Sequence, residues 1–138
     1  MGVPVGSGVP TRRTFRASDR LTHEREFDAV YAQRLRQAKG PLALFARANA
    51  LERHRLGLAV SRRVGTAPAR NRIKRLIREA FRLGRERLPA HTDGHYDFIV
   101  SVRPHAPKDL ETYQALLVEL AAGVHRVYTS RKVPDERG

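Results

Sequence analysis

The chain has 138 residues, with 27 lysines and arginines against 14 aspartates and glutamates, a formal net charge of +13 and no cysteine. That length suits one modest hydrophobic core, and the charge selects a polyanionic partner, nucleic acid before an anionic membrane surface. Missing thiols exclude disulfides, thiolate metal sites and cysteine nucleophiles. No apolar run approaches the roughly 18 residues of a transmembrane helix, and the first residues lack the continuous hydrophobic segment of a secretory signal. The expectation is a cytoplasmic protein with no membrane partner.

Residues 1–17 carry Gly2, Pro4, Gly6, Gly8 and Pro10, then Arg12, Arg13 and Arg16. This composition predicts a flexible basic arm ahead of one folded domain over residues 18–129, with a disordered polar tail over 130–138. Thr22 is a candidate N-cap for a helix over residues 23–32. On it Phe27 and Tyr31 share a face beside Val30. Such a pair is core if buried, and a stacking surface for unpaired bases if it lines a groove.

Lys39-Gly40-Pro41 breaks the chain after a short strand over residues 35–38. Residues 42–48 then alternate, with Leu42, Leu44 and Ala46 on one face and Ala43, Phe45 and Arg47 on the other, which predicts a strand. A polar turn follows at 50–54. Residues 55–61 alternate again: Leu56, Leu58 and Val60 suit a core, while Gly57, Ala59 and Ser61 make a low floor that another chain can approach closely.

Residues 62–70 form a loop holding Arg62, Arg63, Gly65, Pro68 and Arg70, which gathers cations and amides at a helix N-terminus, a favourable place for phosphate. It lacks the glycine and lysine placement of a Walker loop. In the helix that follows, at roughly 100° per residue, Ile73, Leu76, Ile77, Ala80 and Phe81 fall on one side. Arg70, Asn71, Lys74, Arg75, Arg78, Arg82 and Arg85 gather on the other. Glu79 is the only acid between Arg70 and Arg85, so the i,i+4 ion pairs that neutralise an exposed helix are mostly missing. Guanidinium forks match phosphate oxygens bidentately, and the stripe predicts polyphosphate recognition.

The helix fades over residues 84–88 and a loop spans 89–94. The apolar run YDFIVSV at 96–102 predicts a further strand, ended by Pro104 and Pro107. A last amphipathic helix is expected over 108–128 with Leu110, Leu117, Leu120 and Val124 as core. Candidate catalytic groups are sparse. His91 and His95 flank Asp93 in a loop rather than on an aligning helix, so no metal is assigned. Asp93, Asp97, Asp109 and Glu111 show no acid–base pairing, and Ser61 sits in no nucleophile elbow. No catalytic residue is expected in the polypeptide.

Residues 69–81, ARNRIKRLIREAF, closely resemble the signature region of the bacterial ribonuclease P protein component. Weaker similarity runs through Arg20-Leu21, Phe27, Val30-Tyr31, Phe45 and residues 96–103, so that it covers roughly residues 20–128. The resemblance implies an α+β fold, a two-layer sandwich with a four-stranded sheet in the order αβββαβα. It also implies a left-handed crossover through the basic helix, against the usual rule. It further implies a non-catalytic subunit of a ribonucleoprotein endonuclease, whose catalytic RNA subunit hydrolyses the 5′ leader from precursor tRNA with bound Mg2+. By position, Arg70, Asn71, Arg72, Lys74, Arg75 and Arg78, with Arg82 beyond them, are implied to lie against the RNA subunit. Phe27, Tyr31 and Phe45 are implied to line the cleft for the leader, with Gly57, Ala59 and Ser61 as its floor and Arg62 and Arg63 at its margin. Gln33-Arg34 stands where many relatives have a glycine-containing turn.

Two other readings fit the charge alone. A ribosomal or general structured-RNA-binding protein needs no leader cleft. A helix-turn-helix DNA binder needs a second short helix where residues 56–61 read as strand, so no DNA partner is expected.

Overall fold

A computed structural model describes residues 17–132. Its elements are α1 (Glu24–Ala32), β1 (Arg36–Lys39), β2 (Leu42–Asn49), β3 (Arg55–Val60), α2 (Ala67–Gly84), β4 (His95–Val102) and α3 (Leu110–Lys132). The four strands form one sheet in the order β1-β2-β4-β3. β1 and β4 each pair antiparallel to β2, whereas β3 pairs parallel to β4. Helix α2 is therefore the crossover between two neighbouring parallel strands.

Alternation along the strands sorts the side chains into two layers. Leu42, Leu44 and Ala46 of β2, Leu56 of β3, and Tyr96, Phe98 and Val100 of β4 join Ile73, Ile77, Ala80 and Phe81 of α2 and Tyr113, Leu117, Leu120 and Val124 of α3 in the main core. The opposite face carries helix α1 over a much smaller cluster, in which Leu21, Val30 and Ile99 are buried and Phe27, Phe45 and Ala59 pack around them. Among the described residues, no helix is long and apolar enough to cross a membrane.

Several boundaries depart from expectation. Helix α1 is capped at His23 rather than Thr22, because the Glu26 carboxylate turns back to accept from the backbone N–H groups of both residues, at 3.2 and 3.1 Å. Helix α2 begins at Ala67, so Pro68 and Arg70 belong to its first turn and not to the preceding loop. Thr66 caps it by accepting from the Ala69 N–H, and proline costs nothing in a first turn whose N–H groups have no helical partner. Asp109 caps α3 through the Thr112 N–H at 2.9 Å. This helix runs through Lys132, so residues 130–132 of the expected tail are helical; residues 133–138 and the expected arm up to Arg16 lie outside the described residues.

The turn after α1 solves the problem posed by its missing glycine. Arg34 takes a left-handed conformation, φ 53°, which costs a non-glycine residue roughly 1–2 kcal/mol. The Arg131 guanidinium offsets the cost by donating to the carbonyls of both Gln33 and Arg34, each at 2.8 Å, which ties the end of α3 to the start of β1.

Candidate nucleic-acid interface

Helix α2 presents its basic residues away from the core. Asn71, Arg72 and Arg75 are exposed, and Lys74 and Arg78 are half-buried. Among the described residues, no carboxylate lies within ion-pair distance of Arg72, Lys74, Arg75 or Arg78. Burial, and then the neighbouring charge of Arg20, lower the Arg78 pKa from its usual value. Two cations drawn together make a place that an anion stabilises. Arg20 reaches it from the segment beside β3, where it bridges to Leu56; a four-residue local pattern around Arg20 carries no sign of this.

Three members of the predicted stripe have structural duties, Arg85 among them through its pairing with Asp19 at 3.5 Å. Arg70 donates to the Gly65 carbonyl at 2.8 Å and closes the loop before α2. Arg82 pairs with Glu79, its Nε to Oε1 at 3.0 Å. The basic surface without carboxylate partners is therefore narrower than the stripe drawn from periodicity, centred on Asn71, Lys74, Arg75 and Arg78.

The residues expected to line a leader cleft lie on the other face of the sheet. One row across the strands runs Arg36, Phe45, Ile99 and Gly57, each opposite the next, and α1 crosses above it. Tyr31 is 36% exposed, the one large hydrophobic side chain exposed among the described residues. Its ring meets Phe45 edge-on at 4.9 Å and lies 6.4 Å from Phe27. Phe27 and Phe45 are half-buried, so Val30 anchors the helix while the aromatics keep open faces. Arg36 stands over the Phe45 ring at 5.5 Å. A guanidinium there stacks on a base as well as pairing with a phosphate, a contribution that strand periodicity gave no reason to expect.

The floor differs from its expected form at Gly57. A Cβ built at this position falls 2.7 Å from Phe27 Cζ, so the glycine is covered by the chain's own ring and seats Phe27 instead of offering open floor. Ala59 remains half-buried, and Ser61, Arg62 and Arg63 are exposed at the end of β3. Arg62 and Arg63 lie on a short helical turn, Arg62–Val64, pinned by buried Val64.

The expected polar turn at 50–54 ends on a buried residue. His54 is 2% exposed, its Nδ1 accepting from the Tyr96 N–H at 3.0 Å. Burial and the nearby His95 lower its pKa from the usual value to about 4. His91 and His95 are spent on backbone, Nε2 to the Asn49 carbonyl and Nδ1 to the Leu51 carbonyl, both at 3.0 Å.

The Ribonuclease P family profile matches residues 15–128. The chain belongs to the ribonuclease P protein family. It is 44% identical over 81 residues to the ribonuclease P protein component of Haemophilus influenzae (strain PittGG), a match covering 58% of this chain and 64% of that protein, just under two thirds of its length. It is 36% identical over 110 residues to that of Desulfovibrio desulfuricans, covering 78% and 82%. Among solved structures it resembles the ribonuclease P protein from Thermotoga maritima, with a TM-score of 0.65 at 28% identity over 75% of this chain and 96% of that one. The Staphylococcus aureus ribonuclease P protein gives 0.60 at 25% identity, over 85% and 98%. The ribonuclease P protein fold thus covers both surfaces described here.

Proposed function

We propose that this chain is the protein subunit of ribonuclease P in the cytoplasm, and that it binds the catalytic RNA subunit and the 5′ leader of precursor tRNA during tRNA 5′-end maturation. The carrying observation is the face of α2 on which, among the described residues, no carboxylate pairs with Lys74, Arg75 or Arg78, leaving their charge to an outside polyanion. The RNA subunit would lie against this face, with Asn71 and Arg72 beside it. The leader would pass along Phe27, Tyr31, Phe45 and Ala59, held by stacking at about 1–3 kcal/mol per base and by Arg36, Arg62 and Arg63.

The acids of the framework fit no protein-held metal, since Asp97 is enclosed by Arg47 and Arg55 and Asp19 by Arg53 and Arg85. Hydrolysis is assigned to the RNA subunit, whose magnesium ions supply Lewis acidity and an activated water. The protein contributes binding and orientation, and so should tighten substrate binding and lower the magnesium requirement. Cleavage of a leader-bearing precursor tRNA by a bacterial ribonuclease P RNA at low magnesium, with and without the protein, tests this directly. Stimulation with RNA and silence of the protein alone are expected. Cleavage by the protein alone would overturn the assignment, and no stimulation would favour a general RNA-binding role.

A further inference from the structure

One row of the sheet, next to the aromatic row, carries charge into the interior. Arg47, Asp97 and Arg55 stand opposite one another on β2, β4 and β3. Asp97 is fully buried. Its Oδ1 accepts from Arg55 Nε at 2.8 Å and Asn49 Nδ2 at 2.7 Å, and its Oδ2 accepts from Arg55 Nη2 at 2.8 Å and Arg47 Nη2 at 3.3 Å. Arg55 is thus gripped side-on through both carboxylate oxygens. Its remaining Nη1 reaches Glu26 Oε2 on helix α1 at 3.2 Å, and Glu26 is the residue before Phe27.

We propose that Asp97 is a positioning residue for the cleft: through Arg55 and Glu26 it fixes helix α1 over the sheet, and so sets where Phe27 and Tyr31 meet a single strand. The proposal rests on the leader-binding reading of the cleft. Two observations carry it. Helix α1 buries only Val30 among its nine residues, so apolar packing holds it weakly, and an ionic tie decides its placement. A buried charge network is also a poor device for stability alone, because well-packed apolar residues of equal volume serve as well or better. Through Asn49 this one ties the turn after β2, and through Arg55 it reaches the N-terminal turn of the helix that carries the aromatics.

Glu26 allows the tie to be cut without disturbing the buried pair. In Glu26→Gln the side-chain oxygen still accepts from Thr22 and His23, so the helix stays capped, while the charge facing Arg55 is lost. The full-length protein assembled with the RNA subunit is to be assayed for binding of precursor tRNA with and without its leader. Glu26→Gln should weaken leader-bearing substrate by roughly fivefold and leave leaderless tRNA unchanged. The amide resonance of Gly57 should move with the Phe27 ring above it. Asp97→Asn should act in the same direction more strongly, and Arg55→Lys, which keeps the charge and loses the fork, should fall between. An equal loss for both substrates, or an unchanged ratio in a wild type that prefers the leader, would overturn the positioning role alone. A wild type with no preference for the leader would overturn the cleft reading and this proposal with it.

Discussion

Replacing Gly57 by alanine places a methyl group where Phe27 lies. The added Cβ would stand 2.7 Å from Phe27 Cζ and 3.1 Å from both Phe27 Cε1 and Leu21 Cβ, against an ordinary carbon–carbon separation of about 3.5–4.0 Å. The ring must lift by about 1 Å, out of the cluster that contains Val30 and Ile99. Overpacking of this kind costs about 1–3 kcal/mol, and because the ring is part of the cleft, leader affinity should fall with stability. Urea unfolding of Gly57→Ala, Phe27→Ala and the double variant isolates the cause. Once Phe27 is shortened, alanine at 57 should be neutral or slightly stabilising, since glycine in a strand carries its own entropic cost of roughly 0.5–1 kcal/mol. If Gly57→Ala costs the same with and without the Phe27 ring, the two residues are uncoupled, and the account of the cleft floor is wrong.

Lys74→Ala, Arg75→Ala and Arg78→Ala should each weaken affinity for the RNA subunit and reduce the log–log salt slope by roughly one unit. The wild-type slope should lie at roughly −3 to −7 for about 5 to 8 phosphate contacts, and a slope near zero would refute an electrostatic interface. Phe45→Ala should weaken leader-bearing substrate by about 1–3 kcal/mol, measured against leaderless tRNA as the control. His54 is neutral in the fold, with its pKa lowered from 6.5 to about 4, so the unfolded chain binds the extra proton between those values. Stability should therefore fall as pH drops through that window, by about 3 kcal/mol in full. His54→Gln should flatten the part of the urea-derived profile above about pH 5, before the carboxylates titrate.

The elements and the main core were legible because both follow local periods. Ile73, Ile77, Ala80 and Phe81 are buried where a helical period puts them, and the alternation through residues 42–48 and 55–61 separates the two sheet faces. The exposure of Tyr31 beside half-buried Phe27 and Phe45 was suggested only by the family signature, since Phe27 and Tyr31 at helical spacing are equally good core residues. What stayed hidden depends on partners distant in sequence. Asp97 looks like an interruption in an apolar strand until the sheet sets it between Arg47 and Arg55. His54 sits in a polar stretch and is buried because β4 passes over it. Gly57 announces a close approach, but nothing around it says that the approaching group is the chain's own Phe27.

Arginine has two distinct jobs in this chain, and the placement of the acids decides which arginine does which. Asp97 holds Arg55 and Arg47, Asp19 holds Arg53 and Arg85, Glu26 holds Arg55, and Glu79 holds Arg82. These acids stand at the sheet, the N-terminal segment and the flank of α2, so framework cations are neutralised. Arg62, Arg63, Lys74, Arg75 and Arg78 have no such acid among the described residues, and their charge is open to the polyanion proposed above. The distinction has a chemical consequence. At Arg55 a lysine keeps the charge but cannot bind both oxygens of Asp97, whereas at an exposed phosphate contact such as Arg75 a lysine keeps most of the attraction. Arginine-to-lysine exchange therefore separates the cations held in the framework from those proposed to meet RNA, which alanine substitution does not.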